Sequence, residues 1–347
     1  MIKDMALAAF SAFFKTDRIR HAPLNVQLEP TTACNLNCRM CIRPDSVEKA
    51  SHMEESVFHL AMKKLSPPRI VFAGAGEPLL HPRLFNMIGF CRTHGVRTMM
   101  STNLVTCRET VDRLIEQGPH VLKVSIDAAD AATYRAVRGT DAFAQILGNV
   151  RALVQGTQGK MEVRFEYVLM KENMAGLADV VSLADGLGVK RVYFRELQTE
   201  GMTEERRKEL LDGVDFGLLR KSLTTAAARA RELHIETNLR DLLSQFKRIQ
   251  RLYARDNAAA GTGCLLPWLQ LFVAVNGDVS PCCALYTNSG VKTGNVVENS
   301  RDELLNGAAM VCVRRGFRKK RVAPVCRDCI PRDFRKLSAM RRALPGF

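Results

Sequence analysis

Along residues 24–197, short apolar runs of β character alternate with longer stretches whose apolar residues recur every three or four positions. The short runs predict strands at 25–28, 70–73, 97–101, 122–126, 162–169 and 191–197. The longer ones predict helices at 53–65, 82–94, 109–117, 142–154 and 177–187. Six β/α repeats with apolar strands imply a parallel sheet covered by helices. Six units fall short of the eight that close a full barrel, so the expected fold is α/β, a partial (β/α)6 barrel of the TIM type. Beyond 197 the pattern turns helical, over 204–211, 216–233 and 239–254. The small residues of 258–263 read as a linker, and 269–275 followed by Asn276-Gly277 predicts a hairpin. The expected layout is an amphipathic helix in 1–23, a core over 24–235, a helical linker over 236–260, and a small hairpin-plus-helix domain over 261–347 with a basic tail.

The first of these segments needs a reason. Its apolar run, 5–14, is too short to cross a bilayer and is followed at once by Lys15, Asp17, Arg18 and Arg20. No small-residue cleavage site follows, so a helix packed on the main domain fits better than a signal peptide. Charge is uneven. Of a net +15, residues 313–347 supply twelve Lys or Arg against Asp328 and Asp333. Such a tail can attract nucleic acid or an anionic membrane, but a solvated basic surface is the plainer reading. Phe317 and Phe334 are its only aromatics interleaved with the basic residues, too few to stack on bases.

The chain holds 11 cysteines, most of them in tight spacings. An odd count suits a disulfide framework poorly, and pairs two or three residues apart suit metal chelation. The expected compartment is a reducing cytoplasm. Three of these cysteines follow the first strand in Glu29-Pro-Thr-Thr-Ala-Cys34-Asn-Leu-Asn-Cys38-Arg-Met-Cys41. Three thiolates on one loop can ligate three irons of a 4Fe–4S cube and leave the fourth iron for a small molecule. Zinc would need a fourth ligand, and the nearest candidate, His52, sits at an unusual spacing. A buried helical stripe is at odds with Pro30 and the Thr31–Thr32 pair at a strand end. The two-cluster ferredoxin run is absent.

The segment Glu29–Cys41 resembles the radical S-adenosylmethionine (SAM) superfamily signature in its Cys-x3-Cys-x2-Cys form. The resemblance implies that Cys34, Cys38 and Cys41 bind a 4Fe–4S cluster whose open iron is chelated by SAM. It implies reductive cleavage of SAM to a 5′-deoxyadenosyl radical, with Met40 beside the adenine. Downstream, Gly74-Ala-Gly76-Glu77-Pro78 fails as a dinucleotide fingerprint, since position 79 is Leu and Pro78 stands where a helix should donate. It resembles the Gly-Gly-Glu-Pro element of the family, with Gly76 for close approach and Glu77 as acceptor for the SAM ammonium. Ser101, Asn103 and Ser125 lie at C-terminal strand ends, where barrel enzymes bind ligands. The resemblance gives Ser125 the ribose or carboxylate of SAM, with Ser101 and Asn103 nearby. Ordinary capping of strand ends is the rival reading for all three.

The cysteines of the C-terminal part, Cys264, Cys282, Cys283, Cys312, Cys326 and Cys329, resemble the SPASM/twitch auxiliary-cluster domains in the shorter, one-cluster form. Cys264, Cys282, Cys326 and Cys329 are enough for a fully ligated auxiliary 4Fe–4S cluster, or for a structural zinc. Cys283 or Cys312 could replace one of them. Cys91 and Cys107 read as ordinary thiols of the barrel helices. A fully ligated cluster has no open site for substrate, so electron transfer is its simplest use.

The expected activity is therefore hydrogen abstraction from a small molecule, with sugar-like and phosphorylated compounds as the candidates and the second cluster as electron acceptor. A family enzyme that dehydrogenates a sugar alcohol is the parallel for one auxiliary cluster. An external donor such as flavodoxin or ferredoxin would feed the first cluster. The alternatives are a maturase acting on a ribosomally made peptide, disfavoured by the short stretch before the first strand, and a non-enzymatic electron carrier. A carrier has no use for Glu77. No residue stands out as a general base or hydrogen donor.

Overall fold

The computed structural model describes residues 2–199, 201–253 and 264–328. These fall into two compact units. One takes 2–33, 46–98 and 264–328, and the other takes 34–45, 99–199 and 201–253. The strands are β1 (Asn25–Leu28), β2 (Arg69–Phe72), β3 (Arg97–Thr102), β4 (Val121–Ser125), β5 (Glu162–Leu169), β6 (Arg191–Glu196), β7 (Glu236–Thr237), β8 (Gln270–Val273), β9 (Asp278–Ser280) and β10 (Gly294–Asn295). All six predicted strands are present, and the class is α/β with parallel β/α repeats, as expected.

In the second unit β3, β4, β5, β6 and β7 lie side by side, every neighbouring pair parallel. Period-two alternation gives this sheet two unlike faces. Leu122, Val124, Phe165 and Phe194 are fully buried on one face, each worth about 1.5–3 kcal/mol on burial. The other face is polar. The register sets Ser101 beside Lys123, Ser125 beside Glu166, and Glu166 beside Tyr193. On this face the Glu166 carboxylate takes an ion pair from Arg195 and another from Lys123 at 3.3 Å.

The sequence reading missed the helix Ala131–Arg138. Asp130 caps its start, accepting from the Thr133 N–H at 2.8 Å, and Gly139 ends it with φ 72. It also ran one helix over 239–254. Two helices stand there, Leu239–Ser244 and Phe246–Tyr253, separated at Gln245, which leaves helical geometry. The buried Tyr253 hydroxyl accepts from the Leu197 N–H at 3.0 Å and donates to the Leu169 carbonyl at 3.2 Å. That fixes the second helix at the ends of β5 and β6.

In the first unit β1 is central. It pairs parallel with β2 on one side and with β8 on the other, Val26 standing opposite both Ile70 and Leu271. The predicted hairpin is present: β8 and β9 are antiparallel around Asn276-Gly277, with Gly277 at φ 85, and β10 adds to β9. The carboxylate of Asp278 ties this turn together, accepting from Asn276 Nδ2 at 2.9 Å, Asn295 Nδ2 at 3.1 Å and Lys292 Nζ at 2.6 Å. Burial works against its charge, but these donors outweigh it and hold the carboxyl below its ordinary range. The predicted N-terminal helix is Ile2–Phe14, packed on the short helix Leu266–Leu269. The predicted linker at 258–263, Cys329 and the basic tail beyond it lie outside the described residues.

At the end of β5 the buried Asn173 uses its whole amide. Nδ2 donates to the carbonyls of Asp127 at 3.0 Å and Val168 at 2.8 Å, and Oδ1 accepts from the Met170 N–H at 2.8 Å. Replacing Asn173 by Ala strands these backbone groups away from water. A loss of about 2–3 kcal/mol is expected, seen as a lower urea midpoint at an unchanged slope.

Candidate functional site

The loop that follows β1 in sequence carries Cys34, Cys38 and Cys41, of which Cys38 is buried and the other two half-buried. Its shape is set by neighbours within the second unit. The Arg39 N–H donates to the carbonyl of Val137 at 3.0 Å, which seats the loop on the last turn of Ala131–Arg138. There the buried Arg138 reaches the Cys38 sulfur with Nη1 at 3.3 Å. Its other nitrogen pairs with Asp127, whose side chain has no exposure. Arg206, on the helix Glu204–Leu211, ties down the far end. Its Nη2 donates to the carbonyl of Cys41 at 2.6 Å and that of Arg39 at 3.1 Å, and Nη1 pairs with Asp45.

Charge at this loop is lopsided. Burial pushes the Cys41 thiol up against the pull of the Arg43 N–H on its sulfur and of Arg138 and Arg206. Burial also raises the Asp127 carboxyl against the pull of Arg138. Burial opposes the charge of Arg138, yet Asp127 and Cys38 outweigh it and hold the guanidinium protonated. A fixed cation on Cys38 suits a site that accumulates negative charge, as thiolates around iron and sulfide do. Among the described residues no three His, Cys, Asp or Glu side chains converge as they would on a single metal ion.

Asn103 sits directly beside this loop. Its Nδ2 donates to Asn35 Oδ1 at 2.9 Å and lies 4.0 Å from the Cys34 sulfur, while Oδ1 accepts from the Val105 N–H at 2.8 Å. Met40, Ser101 and Ser125 are half-buried, and the two serines share the polar sheet face with Lys123, Glu166 and Arg195. Gly76 and Glu77 belong to the first unit. A Cβ at position 76 would meet the Thr31 and Ala33 carbonyl oxygens and come within 2.8 Å of the Thr32 carbonyl carbon. Glycine is therefore required there by the chain's own backbone. The Glu77 N–H donates to the Ala33 carbonyl at 2.8 Å, and its carboxylate caps the turn Pro78–Leu80 by accepting from the Leu79 N–H at 3.1 Å. Gly74 is crowded in the same way by the side chain of Glu29, whose Cβ would lie 2.8 Å away. Burial raises the Glu29 carboxyl, which accepts from the Ala75 N–H at 2.8 Å.

Three of the four C-terminal cysteines proposed from sequence fall within the described residues, all in the first unit. Cys282 caps the helix Cys283–Ser289, its sulfur accepting from the Leu285 N–H at 3.5 Å. Cys326 lies on Pro324–Asp328, which packs against that helix. Burial pushes the Cys326 thiol up to about 12, and nearby Cys264 adds to the rise. Cys312 is exposed on another helix, Ala308–Arg318. The ten described cysteines form no disulfides. The sequence reading missed Arg138, Arg206 and the pairing role of Asp127. A basic residue near a helix end reads as a partner for the helix dipole, and nothing local ties position 138 to position 38.

Two family models match the chain: the radical SAM superfamily over residues 28–184 and an iron–sulfur cluster-binding domain, SPASM, over 264–330. Among similar proteins, a GTP 3′,8-cyclase of Rhodococcus opacus is 25% identical over 205 residues, covering 56% of this chain and 57% of that protein. The mycofactocin maturase MftC of Mycobacterium ulcerans is 28% identical over 171 residues, covering 48% and 46%. The matches thus span about half the length of these relatives. In three dimensions the chain is similar to Streptococcus suis SuiB bound to precursor peptide SuiA. The TM-score is 0.66 at 15% identity, covering 92% of this chain and 73% of SuiB. That likeness is one of fold. The loop of three cysteines and the C-terminal cysteine group each fall inside one of the matched segments, and on both counts the chain belongs to the radical SAM superfamily, with a C-terminal SPASM domain.

Proposed function

We propose that this radical SAM enzyme takes a hydrogen atom from a small polar molecule, with Cys34, Cys38 and Cys41 ligating the SAM-binding cluster. Family membership supplies the cofactors: a SAM-binding 4Fe–4S cluster, SAM itself and an auxiliary cluster. When bound, they supply reductive cleavage of SAM to a 5′-deoxyadenosyl radical that attacks a substrate C–H bond. What carries the ligand assignment is the buried Arg138 at the Cys38 sulfur. A guanidinium withdrawn from water is costly unless its donors meet negative charge; Asp127 takes one terminal nitrogen and leaves the other to the Cys38 sulfur.

The rest of the reading concerns how the chain orients its ligands. Arg206 and Arg138 hold the cysteine loop in place before any ligand arrives, so little reorganisation is left at the moment of reaction. Met40, Ser101, Asn103 and Ser125 are proposed to contact SAM. Asn103 is the best supported, being already fixed beside Cys34. Lys123, Glu166 and Arg195, on the same sheet face as the two serines, would grip a hydroxylated or phosphorylated substrate. Cys264, Cys282 and Cys326 are proposed as auxiliary ligands, with Cys329 as the fourth. Full protein ligation leaves no open iron and suits electron storage over substrate binding. A flavodoxin- or ferredoxin-type reductant and a reducing, cytoplasmic setting complete the proposal.

A peptide substrate is the second reading. It is favoured by the likeness to MftC, a maturase, and to SuiB, whose structure contains a precursor peptide. The charged triad separates the two. Arg195→Gln should reduce turnover of a small anionic substrate while leaving turnover of a peptide nearly unchanged.

Anaerobic reconstitution should load about eight irons per chain and yield 5′-deoxyadenosine with SAM and dithionite. The Cys34/Cys38/Cys41→Ala triple variant should load about four and yield none. Cleavage at the parent rate would sink the assignment. A Cys264/Cys282/Cys326→Ala variant should also fall to about four irons but still cleave SAM.

Arg138→Gln should cost about 3–5 kcal/mol, because Asp127 is left as a buried, unpaired charge. Asp127→Asn combined with Arg138→Gln should recover more than half of that loss in thermal unfolding of the reconstituted enzyme. Both variants should retain less iron at the first site, since each lacks the cation on Cys38.

A further inference from the structure

The helix Ile2–Phe14 turns its aromatic side to water. Its packed side consists of small residues: Ala8, Ser11 and Ala12 are 0%, 6% and 2% exposed. Phe10, Phe13 and Phe14 are 56%, 80% and 59% exposed. The three rings form one patch, with Phe14 lying 4.6 Å from Phe10 and 5.0 Å from Phe13 between centroids. A surface helix ordinarily buries its large apolar residues and exposes its small or polar ones. This one does the reverse, and a contiguous exposed apolar patch marks an interaction surface.

The patch is held out on a fixed mount. Just beyond the helix, the Thr16 carbonyl accepts from the indole N–H of buried Trp268 at 2.7 Å. The Asp17 carbonyl accepts from Arg314, which is 0% exposed, at 3.3 Å. The surrounding surface is cationic. Arg315 and Arg318 both pair with Asp17, at 2.8 and 3.1 Å, and Arg18 reaches Asp302 at 2.9 Å. Exposed Lys3 and Arg20 add to the excess.

We propose that this face docks on the surface of an anionic bilayer, with the phenylalanine rings in the interfacial layer and the cations on lipid phosphates. The ring cluster is a convex knob, as the 80% exposure of Phe13 requires. A protein partner would need a shape-matched hollow for it, whereas the bilayer interface takes in aromatic side chains without matched shape. The flanking cations then gain from the negative surface potential of the membrane. Among the described residues no helix is long and apolar enough to cross a membrane, and the contact proposed is with the bilayer surface.

The test is co-sedimentation of the full-length, iron-loaded chain with vesicles. One set is phosphatidylcholine alone, and the other contains about one third phosphatidylglycerol, a strongly anionic surface. The parent should pellet with the anionic vesicles at low salt and be released as added salt shortens the screening length. Phe10→Ser with Phe13→Ser should lower the partition at least about tenfold, given the apolar area removed. SAM cleavage without vesicles should not change, because both side chains stand in solvent. A parent that stays in the supernatant with both vesicle sets overturns the proposal. So does a double variant that pellets like the parent, which would leave the basic residues as the sole attraction. Conversion of a parental dimer to a monomer by the same substitutions, with vesicle binding intact, would assign the rings to a second copy of the chain instead.

Discussion

A carboxylate with no access to water governs how the cysteine loop is built. Asp127 follows β4 with its backbone in the left-handed region at φ 50, a conformation few non-glycine residues adopt. It is held there by the Val168 N–H on its side chain and by Asn173 on its carbonyl. Burial opposes its charge, and Arg138 supplies the cation that favours it. Once Arg138 is drawn inward, its second nitrogen is delivered to Cys38. The geometry of the cysteine loop is thus anchored by a charge pair formed from residues about a hundred positions away.

The same economy appears in the first unit. Gly74 and Gly76 are explained by the chain's own packing, against the Glu29 side chain and against the Thr31–Ala33 backbone. Glu77 caps the turn that follows it. These residues therefore pack around Glu29 and the Thr31–Ala33 segment whatever else they contact. In the C-terminal part, one carboxylate, Asp278, gathers the hairpin turn, Lys292 and Asn295, which fixes the segment on which Cys282 stands.

The sheet of the second unit separates stability from chemistry by alternation alone. Its apolar face is closed beneath helices, while Lys123, Ser125, Glu166 and Arg195 share the other. Two cations on one carboxylate make this half-buried cluster neither a simple core nor a solvated surface.

The strands and most helices were legible because each is fixed by a local pattern: period two, period near four, and caps such as Asp130. The cysteine spacings were equally legible, since a loop of eight residues can carry three ligands without help from elsewhere. The neighbours of those cysteines were not. Arg138 reaches Cys38 through a helix end, Arg206 clamps Cys41 from another helix, and β8 joins β1 across some 240 residues. The outward turn of Phe10, Phe13 and Phe14 was hidden as well, because their spacing reads the same whichever face is buried. The sequence by itself determined the repeats, the cysteine spacings and the cofactor class. Only the tertiary structure decided which charges meet the sulfurs and which apolar face meets solvent, because burial and ion pairing arise between segments that no local pattern connects.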